Sequence, residues 1–110
     1  QGPATRLQWG AGYVAALVDL APADAARIEK TAARLIDEAA ADPGSFYERS
    51  GRSMQRLSNK LLAWNRDGQH AAPLKRLQVR LDGVCRKLPA GAAPRTTCEG
   101  LLKAPVATAG

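Results

Sequence analysis

Four cations at helical spacing, Arg49, Arg52, Arg56 and Lys60, are the residues of this chain most able to act together. Steps of three and four bring them onto one flank of a helix, and all four carry the same sign. Such a ridge can track phosphates, meet an acidic protein surface or rest on anionic lipid. Arg76 and Arg80, one turn apart further along, are expected to extend it. An acidic protein partner is the first expectation and nucleic acid the alternative, through the same six residues. Against nucleic acid, no exposed aromatic platform is expected, because Phe46, Tyr47 and Trp64 fall on or beside an apolar stripe. Only Gln55, Arg56 and Asn59 offer base-reading groups on that helix.

Cys85 and Cys98 make a second constellation, on either side of the loop Pro89–Pro94 (PAGAAP). A disulfide between them would close a loop of ~14 residues and contribute roughly 3 kcal/mol in the chain-entropy model. For a domain of this size that is a large share of total stability. Bridged cysteines point to an oxidising compartment, periplasmic or secreted; free thiols would point to the cytoplasm.

The other reactive side chains do not assemble into a site. His70 is the single histidine, and its surroundings Asn65–Ala72 read as a turn. A zinc site would need His70, both cysteines and a carboxylate, at a spacing unlike a zinc ribbon or finger, so no metal or cofactor is expected. Most carboxylates sit between Lys and Arg on the second helix, where weak surface pairing is the default. Asp19, at the end of an apolar helix, could meet a cation from the basic half. Gly10-Ala11-Gly12-Tyr13-Val14-Ala15 matches a dinucleotide-binding pattern, but no strand precedes it. No nucleophile elbow and no phosphate-binding loop ending in Lys-Ser/Thr is present. No enzyme is expected.

These residues need elements to position them, and composition says which kind. Of the hydrophobic residues, 22 are Ala and 13 Leu, while Val and Ile together number seven. Ala and Leu favour helices, and few β-branched residues leave little for a sheet. The chain of 110 residues suits one domain, placed at 4–103. Gln1-Gly2-Pro3 resembles a picornaviral-type protease junction and is set aside, and 104–110 reads as a loose tail. The fold expected is all-α: a small bundle of four helices plus a short C-terminal helical turn, tethered by one disulfide. Charge is uneven along it. Gln1–Gly44 holds four Lys/Arg against six Asp/Glu, and Ser45–Gly110 holds twelve against four.

The first helix, Arg6 to Leu20, is expected to turn Trp9, Tyr13, Leu17 and Leu20 to one side and small residues (Gly10, Ala11, Gly12, Ala15, Ala16) to the others. Ala21–Asp24 breaks it, and a second helix to about Ala41 buries Ile28, Ala32, Leu35, Ile36 and Ala39. Asp42-Pro43-Gly44 stops that one. Ser45, with Glu48 three residues on, has the capping-box pattern for a third helix reaching Arg66. On it Tyr47, Ser50, Met54, Leu57, Leu61 and Trp64 form the apolar stripe, and Gly51 marks a kink or a close crossing. Pro73 opens a fourth helix with Leu74, Leu77, Leu81, Val84 and Leu88 as its seam. Arg95–Lys103 is a short fifth element anchored by Leu101 and Leu102. The core is expected to form from the third and fourth stripes, closed by Trp9 and Leu17.

The function this pattern suggests is a non-catalytic secreted or periplasmic protein-binding module: an adaptor, an inhibitor or a toxin-neutralising immunity protein. Its basic ridge would meet an acidic partner and gain on-rate and specificity from charge. The small-residue face of the first helix is a second candidate contact and a route to homo-oligomers. A carrier of small apolar ligands between the helices is the remaining alternative. The longest uncharged run before the Ala-rich tail, Leu7 to Val18, is too short to span a membrane.

Overall fold

The structure is a computed structural model that describes residues 2–103; the expected tail at 104–110 lies outside them. The described residues form five α-helices, a 3₁₀ turn and no strand. The helices are α1 (Pro3–Leu20), α2 (Ala25–Ala40), α3 (Glu48–Trp64), α4 (Ala71–Cys85) and α5 (Ala93–Gly100), with the 3₁₀ turn at Pro43–Phe46. No helix is long and apolar enough to cross a membrane among the described residues.

The most extensive pairings are α1 with α3, α2 with α4, and α1 with α2, so the helices lie in the order α3, α1, α2, α4. Leu101 and Leu102 close the remaining side between α3 and α4, both buried. The Leu102 amide donates to Ser58 Oγ on α3 at 2.7 Å, and its carbonyl accepts from Gln78 on α4. These two bonds hold Leu102 in the left-handed region at φ 58°, a conformation that costs a non-glycine residue about 1–3 kcal/mol. A disulfide joins Cys85, the last residue of α4, to Cys98 of α5, with their Cα atoms 5.5 Å apart. It anchors α5 immediately before the leucine pair.

α2 and α3 bury the stripes their spacing predicts. Ile28, Ala32, Leu35, Ile36 and Ala39 face inward on α2, and Ser50, Met54, Leu57, Leu61 and Trp64 on α3. The Asp24 carboxylate accepts the Arg27 amide at 3.3 Å and caps α2. On α4, Leu74, Leu77 and Leu81 are buried and Val84 is only partly covered; Leu88, expected in the same seam, lies three residues past the helix end and is also partly covered.

α1 turns the other way from the sequence expectation, except at Leu17, which enters the core as expected. Leu7, Ala11, Val14, Leu17 and Val18 are buried, while Trp9 is 74% and Leu20 84% exposed and Tyr13 is half exposed. Trp9 therefore does not close the core. α1 packs on α2 and α3 at once, and a large ring cannot fit at that approach. A Cβ on Gly10 would come within 2.6 Å of Leu35 Cδ1 on α2. Because α1 is apolar all round, its large residues gave a periodicity that marks the outer face.

The third helix also begins later than expected. Ser45 is buried in the 3₁₀ turn and Asp42 caps that turn, its carboxylate accepting the Gly44 amide at 3.0 Å. Tyr47 precedes α3 in an extended conformation with its side chain half exposed, off the stripe. This break inserts Phe46 into the core, 2% exposed. Gly51 makes room for it, since a Cβ there would lie 3.1 Å from the Phe46 carbonyl carbon. The close crossing expected at Gly51 is thus with the 3₁₀ turn. α3 ends at Trp64, two residues before Arg66.

Candidate functional site

The arginines of α3 and α4 stand in two different settings. On α4, Arg76 donates twice to Glu29 of α2, from Nε at 2.7 Å and from Nη2 at 2.8 Å. Arg80 reaches Asp37 of the same helix at 2.8 Å. The bond from Arg76 holds the Glu29 carboxyl below its ordinary value of 4.5, and the same bond raises the Arg76 guanidinium. α2 and α4 run side by side with their opposite charges in register, so their charges close on each other.

α3 presents its cations differently. Lys60 is joined to Asp19, near the end of α1, at 2.6 Å. Arg56 donates to Ser53 Oγ at 3.3 Å, a short-range contact within its own helix. Arg49, Arg52 and Arg56 are exposed, and none forms an ion pair among the described residues. Glu48, one turn before Arg52, is not paired with it either. Arg49, Arg56 and Lys60 line one groove, while Arg52 stands outside it on the exposed surface.

The other wall of that groove is α1. Its two helices run in the same direction, so Gln8 lies towards Arg49 and Asp19 towards Lys60. Ala11, Gly12 and Ala15 provide a thin floor with Ser53 and Leu57. The groove holds about 390 Å³ and adjoins a shallower depression of about 490 Å³ lined by Gln8, Trp9, Gly12 and Tyr13. Trp9 and Tyr13 are thus exposed aromatic rings beside unpaired arginines, a platform the sequence reading did not expect. On its far side Tyr13 accepts a hydrogen bond from Arg27 Nη2 of α2 at 3.2 Å.

The six cations named from sequence therefore divide. Arg49, Arg56 and Lys60 come together with the small-residue face of α1, which sequence reasoning treated as a separate contact. Arg76 and Arg80 lie on the α2–α4 face, away from them. The signal for this division is non-local, since it depends on which helix each arginine meets.

His70 is not a bare turn residue. Its ring stacks on Trp64 with centroids 3.9 Å apart and planes 6° from parallel, and Trp64 Nε1 donates to the Pro22 carbonyl at 2.9 Å. The pair ties the α1–α2 and α3–α4 connections together at one end of the molecule. Among the described residues, no group of three or more His, Cys, Asp or Glu side chains is gathered to hold a metal. Beneath Leu101 and Leu102 the core leaves only about 20 Å³ between Ala32, Met54, Leu57 and Leu81, far short of the ~300 Å³ at which ligand pockets begin. Compared with known protein families, curated proteins and solved structures, the chain matches none of them.

Proposed function

We propose that this chain is a small four-helix bundle acting as a non-catalytic protein-binding module, which meets an acidic partner through the α1–α3 face. One observation carries the reading: Arg49 and Arg56 are exposed without ion-pair partners among the described residues, in a groove that adjoins the exposed rings of Trp9 and Tyr13. Unneutralised charge beside apolar and aromatic surface supplies steering and a desolvated anchor in one patch, the two elements of a specific protein contact. The small core space argues against an apolar-ligand carrier. The Cys85–Cys98 bridge suits an oxidising compartment, and we propose a periplasmic or secreted setting. An adaptor, an inhibitor and a toxin-neutralising immunity protein all fit this description.

Nucleic acid is the second reading, favoured by Trp9 standing next to the cations, since a ring beside arginines can stack a base. Binding of fluorescent duplex and single-stranded oligonucleotides across a salt series separates the two. The protein-binding reading predicts weak or absent binding. A log–log salt slope of roughly −0.9 per duplex phosphate neutralised, lost in the Arg49→Glu/Arg56→Glu variant, would establish nucleic acid instead.

A further inference from the structure

We infer that the outer face of α1 is a seat for an amphipathic helix of the partner, apolar along one stripe and acidic along one edge. The inference rests on the protein-binding reading above and names the partner's chemistry. Trp9, Tyr13, Ala16 and Leu20 follow one another at steps of four, three and four, the spacing of a helix-packing seam. The seam runs ~16 Å at 1.5 Å per residue, three turns of helix. Both of its ends are solvent-exposed, Trp9 at 74% and Leu20 at 84%, although α1 already has a complete buried face. A surface helix ordinarily has one apolar stripe, and α1 has two.

Shape selects a helix. The seam borders a groove floored by Ala11, Gly12 and Ala15, so a second backbone can come close on the α3 side. A bilayer surface cannot follow that concavity, and a nucleic acid has no use for Leu20 or Ala16. Charge selects the helix's edge. On the α3 side stand Arg49 and Arg56, whereas on the α2 side Arg27, in contact with Tyr13, and Arg34 share their face with Asp24 and Glu38, so only the α3 flank is left basic. The seam's nearest carboxylate on α1, Asp19, is occupied by Lys60. A second copy fits less well: an antiparallel pair would set the two α3 ridges on one side, and a parallel pair would offer Arg49 and Arg56 only the balanced charges of α2, Asp24 and Glu38 beside Arg27 and Arg34. The first opposes like charges and the second leaves the ridge without a net counter-charge, whereas an acidic edge facing α3 satisfies it.

The test uses the intact, disulfide-bonded protein and a phage library of helical hairpins with randomised outward positions. Selected binders should carry apolar residues at three-four spacing and Asp or Glu along one edge. Their affinity should fall about tenfold or more in Trp9→Ala/Leu20→Ala, and separately in Arg49→Glu/Arg56→Glu. All four positions are exposed, so folding should survive, which circular dichroism checks. No enrichment, or binders without acidic residues, overturns the inference. So does concentration-dependent dimerisation abolished by Ala16→Arg, or binding to phosphatidylglycerol vesicles that needs Trp9 and Leu20. Binders that need Arg49 and Arg56 but ignore Trp9 and Leu20 overturn the helix seat and leave the protein-binding reading intact. Steeply salt-dependent binding of generic duplex removes that reading itself.

Discussion

On the α2–α4 face, Arg76 and Arg80 reach across to Glu29 and Asp37, and each cation is answered by a carboxylate from the neighbouring helix. On the α1–α3 face, the neighbour of the arginine row is a helix with a single carboxylate, Asp19, and Lys60 already holds it. Similar rows of arginine, one turn apart, therefore have opposite consequences. The first row is neutralised within the fold and joins two helices. The second row, Arg49 and Arg56, keeps its charge unpaired among the described residues, near the exposed rings of Trp9 and Tyr13. The proposed function rests on the charge left unanswered by the helix next door, and the net charge of +6 does not locate that charge.

The largest effect should come from the core that carries both faces. Leu61 is 2% exposed on the α3 stripe, one turn before Trp64, and Leu61→Ala should cost ~2–5 kcal/mol in a urea titration. A loss below ~0.5 kcal/mol would mean that the stripe is not the shared support of the two faces.

Removing the bridge should rank next. Cys85→Ala/Cys98→Ala is expected to lose roughly 3 kcal/mol. The loss should be regional: amide exchange should speed up most in α5 and at Leu101–Leu102, and least in α1 and the first turns of α3. Native mass spectrometry with an alkylating agent checks the bridge directly, and two alkylated thiols without reductant would contradict it.

Charge reversal should then separate the faces. Arg76→Glu/Arg80→Glu sets carboxylates against Glu29 and Asp37 and should lower the melting temperature, with much of the loss relieved by added salt. Arg49→Glu/Arg56→Glu should leave it nearly unchanged. Equal losses in the two variants would erase the distinction.

The smallest effect is a titration. Because the bond from Arg76 lowers the Glu29 pKa in the folded state, its contribution to stability is present above the unfolded value and disappears as pH falls through the folded one. In a carbon-detected NMR titration Glu29 should have its midpoint below 4.5, and Arg76→Gln should move it upward. Both residues are solvent-accessible, so the stability at stake is slight. An unchanged midpoint would leave Arg76 as free as Arg49.

How far this comparison was legible in the sequence depends on the element. The α3 stripe could be read because Met54, Leu57, Leu61 and Trp64 stand opposite a polar flank, which leaves one choice of inner face. The bridge could be read because Cys85 and Cys98 flank a Pro/Gly loop at the end of a helix. α1 misled, since a helix apolar on both sides offers two inner faces. Packing took the one with thinner side chains, and Trp9 and Leu20 went outward. The Phe46 insertion gave no signal beyond Pro43-Gly44, where the capping-box pattern at Ser45 and Glu48 competed with it. The pairing of Arg76 and Arg80 was invisible for another reason: it joins residues 47 and 43 positions apart, through a helix order that no local pattern contains.

The central claim, that free positive potential resides on the α1–α3 face and not on α2–α4, can be measured without any partner. Amide proton relaxation of the ¹⁵N-labelled protein with an anionic and then a cationic nitroxide cosolute reports the potential near each residue. The anionic probe should dominate at the amides of Gln8, Gly12, Arg49, Ser53 and Arg56, and the two probes should act nearly equally around Glu29, Asp37, Arg76 and Arg80. Equal effects on both faces, or a stronger anionic effect on α2–α4, would contradict the account.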